Sequence, residues 1–132
     1  MHTEANRFSR EISAFYDSYF KSEKLATSYI ELILIVEEAG DVTQKEIADK
    51  LSLAPSTITR FINKLEKRGL VSKKMDGRMA RIVLTNRGAQ QAPELREKYH
   101  QAESDLQKLL GDKFVDTTRQ LLDHGSEIMA RP

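Results

Sequence analysis

Residues 43–69 read TQKEIADKLSLAPSTITRFINKLEKRG, two short helical patterns separated by three residues. The first opens with a capping-box pattern, Thr43 as N-cap and Glu46 three positions on, and turns Ile47, Ala48 and Leu51 inward. The connection SLA, residues 52–54, is too short for anything but a sharp turn, with Leu53 as the plug beneath it. Pro55 then sits at the first helical position, where its missing N–H costs nothing. In the second pattern Ile58, Phe61, Ile62 and Leu65 recur at helical spacing and form a buried stripe. Ser56, Thr57, Thr59, Arg60, Asn63 and Lys64 are left facing outward. Lys67 and Arg68 complement the negative end of the helix dipole, and Gly69 ends the helix.

What this second helix lacks is as informative as what it holds. A helix N-terminus carries partial positive charge and favours Asp or Glu in its first turn, yet no carboxylate occurs from Pro55 to Leu65. Ala54, the expected N-cap, offers no side-chain oxygen. An external phosphate would fill both vacancies. Charge along the chain agrees: the protein carries only +1 overall, but residues 43–87 carry +7 and the remainder −6. A basic middle between acidic ends points to a polyanionic partner for the middle alone.

After Gly69 the period changes. LVSKKM, Asp76-Gly77 and RMARIVLT read as two strands joined by a two-residue type I′ turn, which pairs Met75 with Arg78, Lys73 with Ala80 and Val71 with Ile82. Lys73, Lys74, Arg78 and Arg81 are then available to reach outward. Two helices across a three-residue turn, followed by a basic hairpin, make a winged helix-turn-helix, and DNA phosphates and base edges supply the missing anions and acceptors. The predicted DNA-binding set is Gln44, Lys45, Ser56, Thr57, Thr59, Arg60, Asn63, Lys64, Lys73, Lys74 and Arg78. A protein-interaction module on the same scaffold, without specific DNA binding, is the alternative reading.

The flanking sequence is mainly helical. Phe8, Ile12, Phe15, Tyr16, Tyr19 and Phe20 make an amphipathic stripe, and a second helix is predicted from Ser28, capped by the Ser28/Glu31 pattern and ending near Gly40. Thr85 is the expected cap of a long helix through about Leu110 that contains Pro93, and Asp112 the expected cap of a last helix carrying Phe114, Val115, Leu121, Leu122, Ile128 and Met129. Such terminal stripes exceed the needs of a 132-residue monomer and predict a homodimer with a shared core. The expected organisation is a single domain over 1–132, with a winged-helix lobe at 28–87 and a helical dimerisation region formed by 1–27 and 88–132.

Absences narrow the function. There is no cysteine, so thiolate catalysis and cysteine metal sites are excluded. The N-terminus lacks a basic stretch followed by an apolar one, and no apolar run approaches a bilayer span; a cytoplasmic protein without a membrane partner is expected. No phosphate loop, nucleophile motif or apolar carboxylate pair suggests an enzyme, and no cofactor is expected. His2, His100 and His124 are scattered, Glu103 alone sharing a helix face with His100, so no metal site is expected. The aromatic cluster at Phe15, Tyr16, Tyr19, Phe20 and Tyr29 reads first as core and dimer packing; the second reading is an effector pocket with Tyr16, Tyr19 and Tyr29 as its polar handles.

TQKEIADKLSLAPSTITRFINKLEKRGLV, followed by DGR and VLTNRG, resembles the MarR family of transcriptional regulators. The resemblance implies a homodimer with interlocked terminal helices, a recognition helix in each of two major grooves, wings reaching the minor groove, and effector pockets between the dimer helices and the DNA-binding lobe. It maps recognition contacts onto Ser56, Thr57, Thr59 and Arg60, and wing contacts onto Asp76 and Arg78. Ala54 stands where many members have serine, the wing is about three residues shorter by alignment of its turn element, and Gly77 replaces a wing arginine. The expected function is a dimeric repressor on a pseudo-palindromic operator, with a small-molecule effector as an additional partner.

Overall fold

The computed structural model describes all 132 residues. Helix α1 (His2–Asp17) runs into a 3-10 turn at Ser18–Phe20 and is followed by α2 (Thr27–Ala39), β1 (Asp41–Thr43), α3 (Gln44–Leu51), α4 (Pro55–Lys67), β2 (Val71–Asp76), β3 (Met79–Leu84), α5 (Asn86–Leu110) and α6 (Asp112–Met129). The fold is thus mainly α, with a three-stranded antiparallel sheet ordered β1-β3-β2.

The core belongs to the middle of the chain. Ile30, Leu32, Ile33 and Val36 of α2, Ile47 of α3, Ile58, Ile62 and Leu65 of α4, and Val42, Val71 and Ile82 of the sheet are fully buried in one cluster that also takes Ala92 and Leu95 of α5. By contrast α1 buries no residue and α6 only Val115. Phe114, Leu121, Leu122, Ile128 and Met129 stay exposed, and Phe8 meets Phe114 edge-on at 5.9 Å.

Several local expectations are corrected. Helix α2 starts one residue early, with Ala26 at the cap, and the Ser28/Glu31 box does not form. Asp17, at the end of α1, takes over the cap: its Oδ1 accepts from Thr27 N at 2.8 Å and Thr27 Oγ1 at 2.6 Å. A long-range acceptor has displaced the local one. Asp112 makes no cap bond either; Gly111, at φ +91°, holds the cap position, which no side chain fills. Thr43 and Thr85 cap as expected, accepting from Glu46 N at 3.1 Å and Gly88 N at 3.0 Å.

The hairpin register is shifted by two from expectation: Met75 pairs with Ala80, Lys73 with Ile82, and Val71 with Leu84. The turn residues are Gly77 and Arg78, because Asp76 pairs with Met79. Gly77 occupies the first central position at φ +64°, so the left-handed backbone falls on glycine and not on Asp76. A shift of two preserves which side chains share a face. Strand β1, which the sequence reading did not anticipate, adds to β3 and lets Asp41 bind Arg81.

Where α5 begins, the chain crosses itself closely. Thr85 Oγ1 donates to Gly69 O at 2.6 Å, Thr85 N to Leu70 O at 3.1 Å, and a Cβ on Gly88 would collide with the Leu70 carbonyl. This crossing fixes the base of the wing against the end of α4.

Candidate nucleic-acid interface

The interface is built on α3 and α4. The capping box at Thr43 and Glu46 is complete, with Thr43 N donating to Glu46 Oε1 at 3.4 Å. The turn out of α3 places Ser52 at φ +54°, and Leu53 N donates to Ala48 O at 3.1 Å, closing the short connection into α4. At the start of α4, Thr57 N and Ile58 N both donate to Ala54 O, at 3.0 and 3.1 Å, and Pro55 has no N–H. The vacancy expected there is therefore narrower, leaving only the Ser56 N–H of the first turn without a protein acceptor.

Helix α4 presents Ser56, Thr59, Arg60, Asn63 and Lys64 to solvent and Thr57 at the margin, while Ile58, Ile62 and Leu65 are buried beneath. Its side chains are not all equally available. Thr59 Oγ1 donates to Pro55 O at 3.1 Å and accepts from Gln44 Nε2 at 3.5 Å, joining α3 to α4. Asn63 Oδ1 accepts from Lys73 Nζ at 2.7 Å, and Lys73 also lies 3.8 Å from Glu66, so this pair braces the wing on the helix. Lys64 Nζ rests 4.9 Å from the Tyr29 ring centre, and Tyr29 in turn stacks on Phe61 at 4.1 Å. Arg60 has no hydrogen-bond or ion-pair partner in the chain. Lys45, Lys74 and Arg78 are likewise exposed and unpaired, with Arg78 in the wing turn.

Arg81, expected to reach outward, is instead tied to Asp41 at 2.6 Å across β1 and β3. The bond holds the Asp41 carboxyl below its ordinary range and raises the Arg81 guanidinium. Arg68, read as a dipole partner, donates to the carbonyls of Glu23 at 2.9 Å and Lys24 at 2.7 Å, anchoring the end of α4 to the segment between α1 and α2.

The three tyrosines offered as effector handles do not converge. Tyr29 packs on α4. Tyr19 donates to Asp105 at 2.6 Å, which pushes the phenol up to about 12. Tyr16 lines a cavity of about 230 Å³ between α1, α2 and α5, where its ring lies 5.4 Å from that of Tyr99. Tyr99 Oη donates to Glu31 at 2.8 Å. Glu31 and Tyr99 were not singled out from the sequence; Glu31 carries a helix-capping signature, and nothing local distinguishes Tyr99 from a packing residue. Burial raises the Glu31 carboxyl and the Tyr99 phenol above their ordinary values. No three His, Asp or Glu side chains are grouped to hold a metal ion, and no helix is long and apolar enough to cross a membrane.

The helices, their three-residue turn and the hairpin coincide with a stretch that matches the MarR family model over residues 28–83. The winged lobe, 56 of the 132 residues, is MarR-like. An uncharacterized HTH-type transcriptional regulator of Bacillus cereus is 28% identical over 82 residues, which are 62% of this chain and 56% of that protein. The chain thus matches little more than half the length of that relative. Among solved structures, a mutant MarR from E. coli complexed with operator DNA superposes with a TM-score of 0.81 at 19% identity, covering 93% of this chain and 91% of that one. NadR in complex with 4-hydroxyphenylacetate gives 0.78 at 17% identity, covering 97% and 96%. At these identities the likeness is one of fold, and it extends past the MarR lobe to the terminal helices.

Proposed function

We propose that the protein is a dimeric, sequence-specific DNA-binding transcriptional regulator, a repressor that occludes its operator and is released by a small molecule bound between α1, α2 and α5. The observation that carries this reading is Arg60: an exposed guanidinium without an internal partner, within the acid-free run from Pro55 to Leu65 of α4. The +7 charge of residues 43–87 supports it, as does the likeness to a MarR fold solved on operator DNA. In a major groove, Arg60 is suited to guanine O6 and N7, and the Thr57 and Thr59 methyls to a thymine methyl. The exposed Ser56 N–H is suited to a phosphate. Lys45, Lys74 and Arg78 surround this head with charge for the backbone.

Selection of duplexes from a random DNA pool, followed by salt titration of the selected site, tests the reading. A recovered pseudo-palindrome whose affinity falls by orders of magnitude from low to moderate salt is expected. No enrichment together with a flat salt dependence would favour a protein-docking role.

A further inference from the structure

The cavity beside Tyr16 has an electrostatic character that selects its ligand. We propose that it binds a protonated aromatic amine, with Glu31 as counter-ion and the Tyr16 and Tyr99 rings as walls. The inference rests on the reading of this cavity as the effector site and adds the chemical class of the effector.

The cavity is lined by hydroxyls, aromatic rings and one carboxylate, with no basic side chain among its walls. Glu31 spends one oxygen on Tyr99 and has no protein donor for the other. Glu103 stands near enough to act on Glu31, Tyr16 and Tyr99, adding a second negative charge. Two cations lie close but outside. Arg119 acts on Tyr16 from the neighbouring apolar cavity it shares with Phe8 and Phe114, and Lys50 lines the outer cleft beyond the Tyr99–Glu31 bond, as does Glu38. The inner chamber therefore has acceptors and π faces and lacks its own positive group. An ammonium group gains a charge-assisted hydrogen bond to Glu31 and cation–π attraction from the tyrosines. An aromatic carboxylate would set its charge beside Glu31 and find only the neutral hydroxyls of Ser13, Tyr16 and Ser28 as donors. At about 230 Å³ the chamber accepts a single ring and a short chain.

Three probes of nearly one shape isolate the charge: tyramine, 4-ethylphenol and 4-hydroxyphenylacetate, titrated calorimetrically into the full-length protein. Tyramine should bind more tightly than either other probe. Glu31→Gln, which can still accept from Tyr99, should weaken tyramine on the order of 10- to 100-fold and leave 4-ethylphenol unchanged. The ordering of the probes on the unaltered protein is decisive even if the variant does not fold. Tighter or equal binding of 4-hydroxyphenylacetate, binding of none of the three, or undiminished tyramine affinity in folded Glu31→Gln would overturn the proposal. Tyramine binding that leaves operator affinity unchanged would uphold the cation site and remove its role in release, so the two ideas fail separately.

Discussion

Arg60 projects from the second turn of α4 without a partner, whereas Arg78 occupies the hairpin turn beside Gly77, and the two positions call for different work. Arg60→Ala should weaken binding to the best selected site by about 1–3 kcal/mol and relax preference at one symmetric pair of positions. Arg78→Ala should weaken binding to most sequences alike and make the salt slope shallower by about one unit for each phosphate left without its guanidinium. Repeating the duplex selection and salt titration on each variant checks this; a changed major-groove preference in the Arg78 variant alone would displace the reading head from α4. Gly88 makes a purely structural prediction. Its substitution by Ala forces a methyl against the Leu70 carbonyl, so Gly88→Ala should cost about 1–3 kcal/mol in denaturant unfolding. At this scale the sequence was legible where neighbours decide, as at Thr43 and Pro55. It misled at Glu31, whose capping signature is local while its partner Tyr99 lies 68 residues away.

Helices α2 and α5 are joined through a half-buried carboxyl and phenol, Glu31 and Tyr99, and that junction has a pH signature. Burial raises the Glu31 carboxyl, so the folded chain holds its proton to higher pH than the unfolded chain does. Its contribution is full below the ordinary Glu value of 4.5 and is lost as pH rises through the folded value. Glu31→Gln should therefore gain stability relative to the natural chain as pH rises from 4 toward 7, read as a widening difference in Tm; a difference that is flat or narrows would contradict the burial argument. Among the strands, periodicity marked β2 and β3, but the three residues of β1 are too few to show a period. The hairpin register slipped because Asp-Gly is the usual signature of a type I′ turn centre. Here the chain spares Asp76 the left-handed backbone and gives the first central position to Gly77.

For the whole molecule, the question is what covers the apolar side chains of the ends. The buried cluster of the lobe does not extend to α6, whose Leu121, Leu122 and Met129 are 65%, 65% and 87% exposed. Those stripes, and their excess over what one chain can cover, were readable from spacing; which of their side chains stay exposed was not, since it depends on where α1 and α5 come to lie. On the proposed reading a homodimer buries them. Deleting residues 113–132 should turn a dimer into a monomer by sedimentation at micromolar concentration, and should weaken operator binding far more than nonspecific binding. Selected half-sites should then lie about one helical turn apart, near 34 Å centre to centre.

The two carbonyls held by Arg68 couple α4 to the segment joining α1 and α2. Its far end is tied to the segment joining α1 and α2, while Ile58 seats its leading end on the core and Thr59 meets Gln44. Thirteen residues make a lever of about 20 Å, so a tilt of ~10° at that tie swings the tip by about 3.4 Å, the rise of one base-pair step. On the proposed reading, a ligand lodged against α1 and α2 need not unfold or hide anything to release DNA. On that reading a tilt of about 10° in each protomer is enough to put the two heads out of step with the grooves.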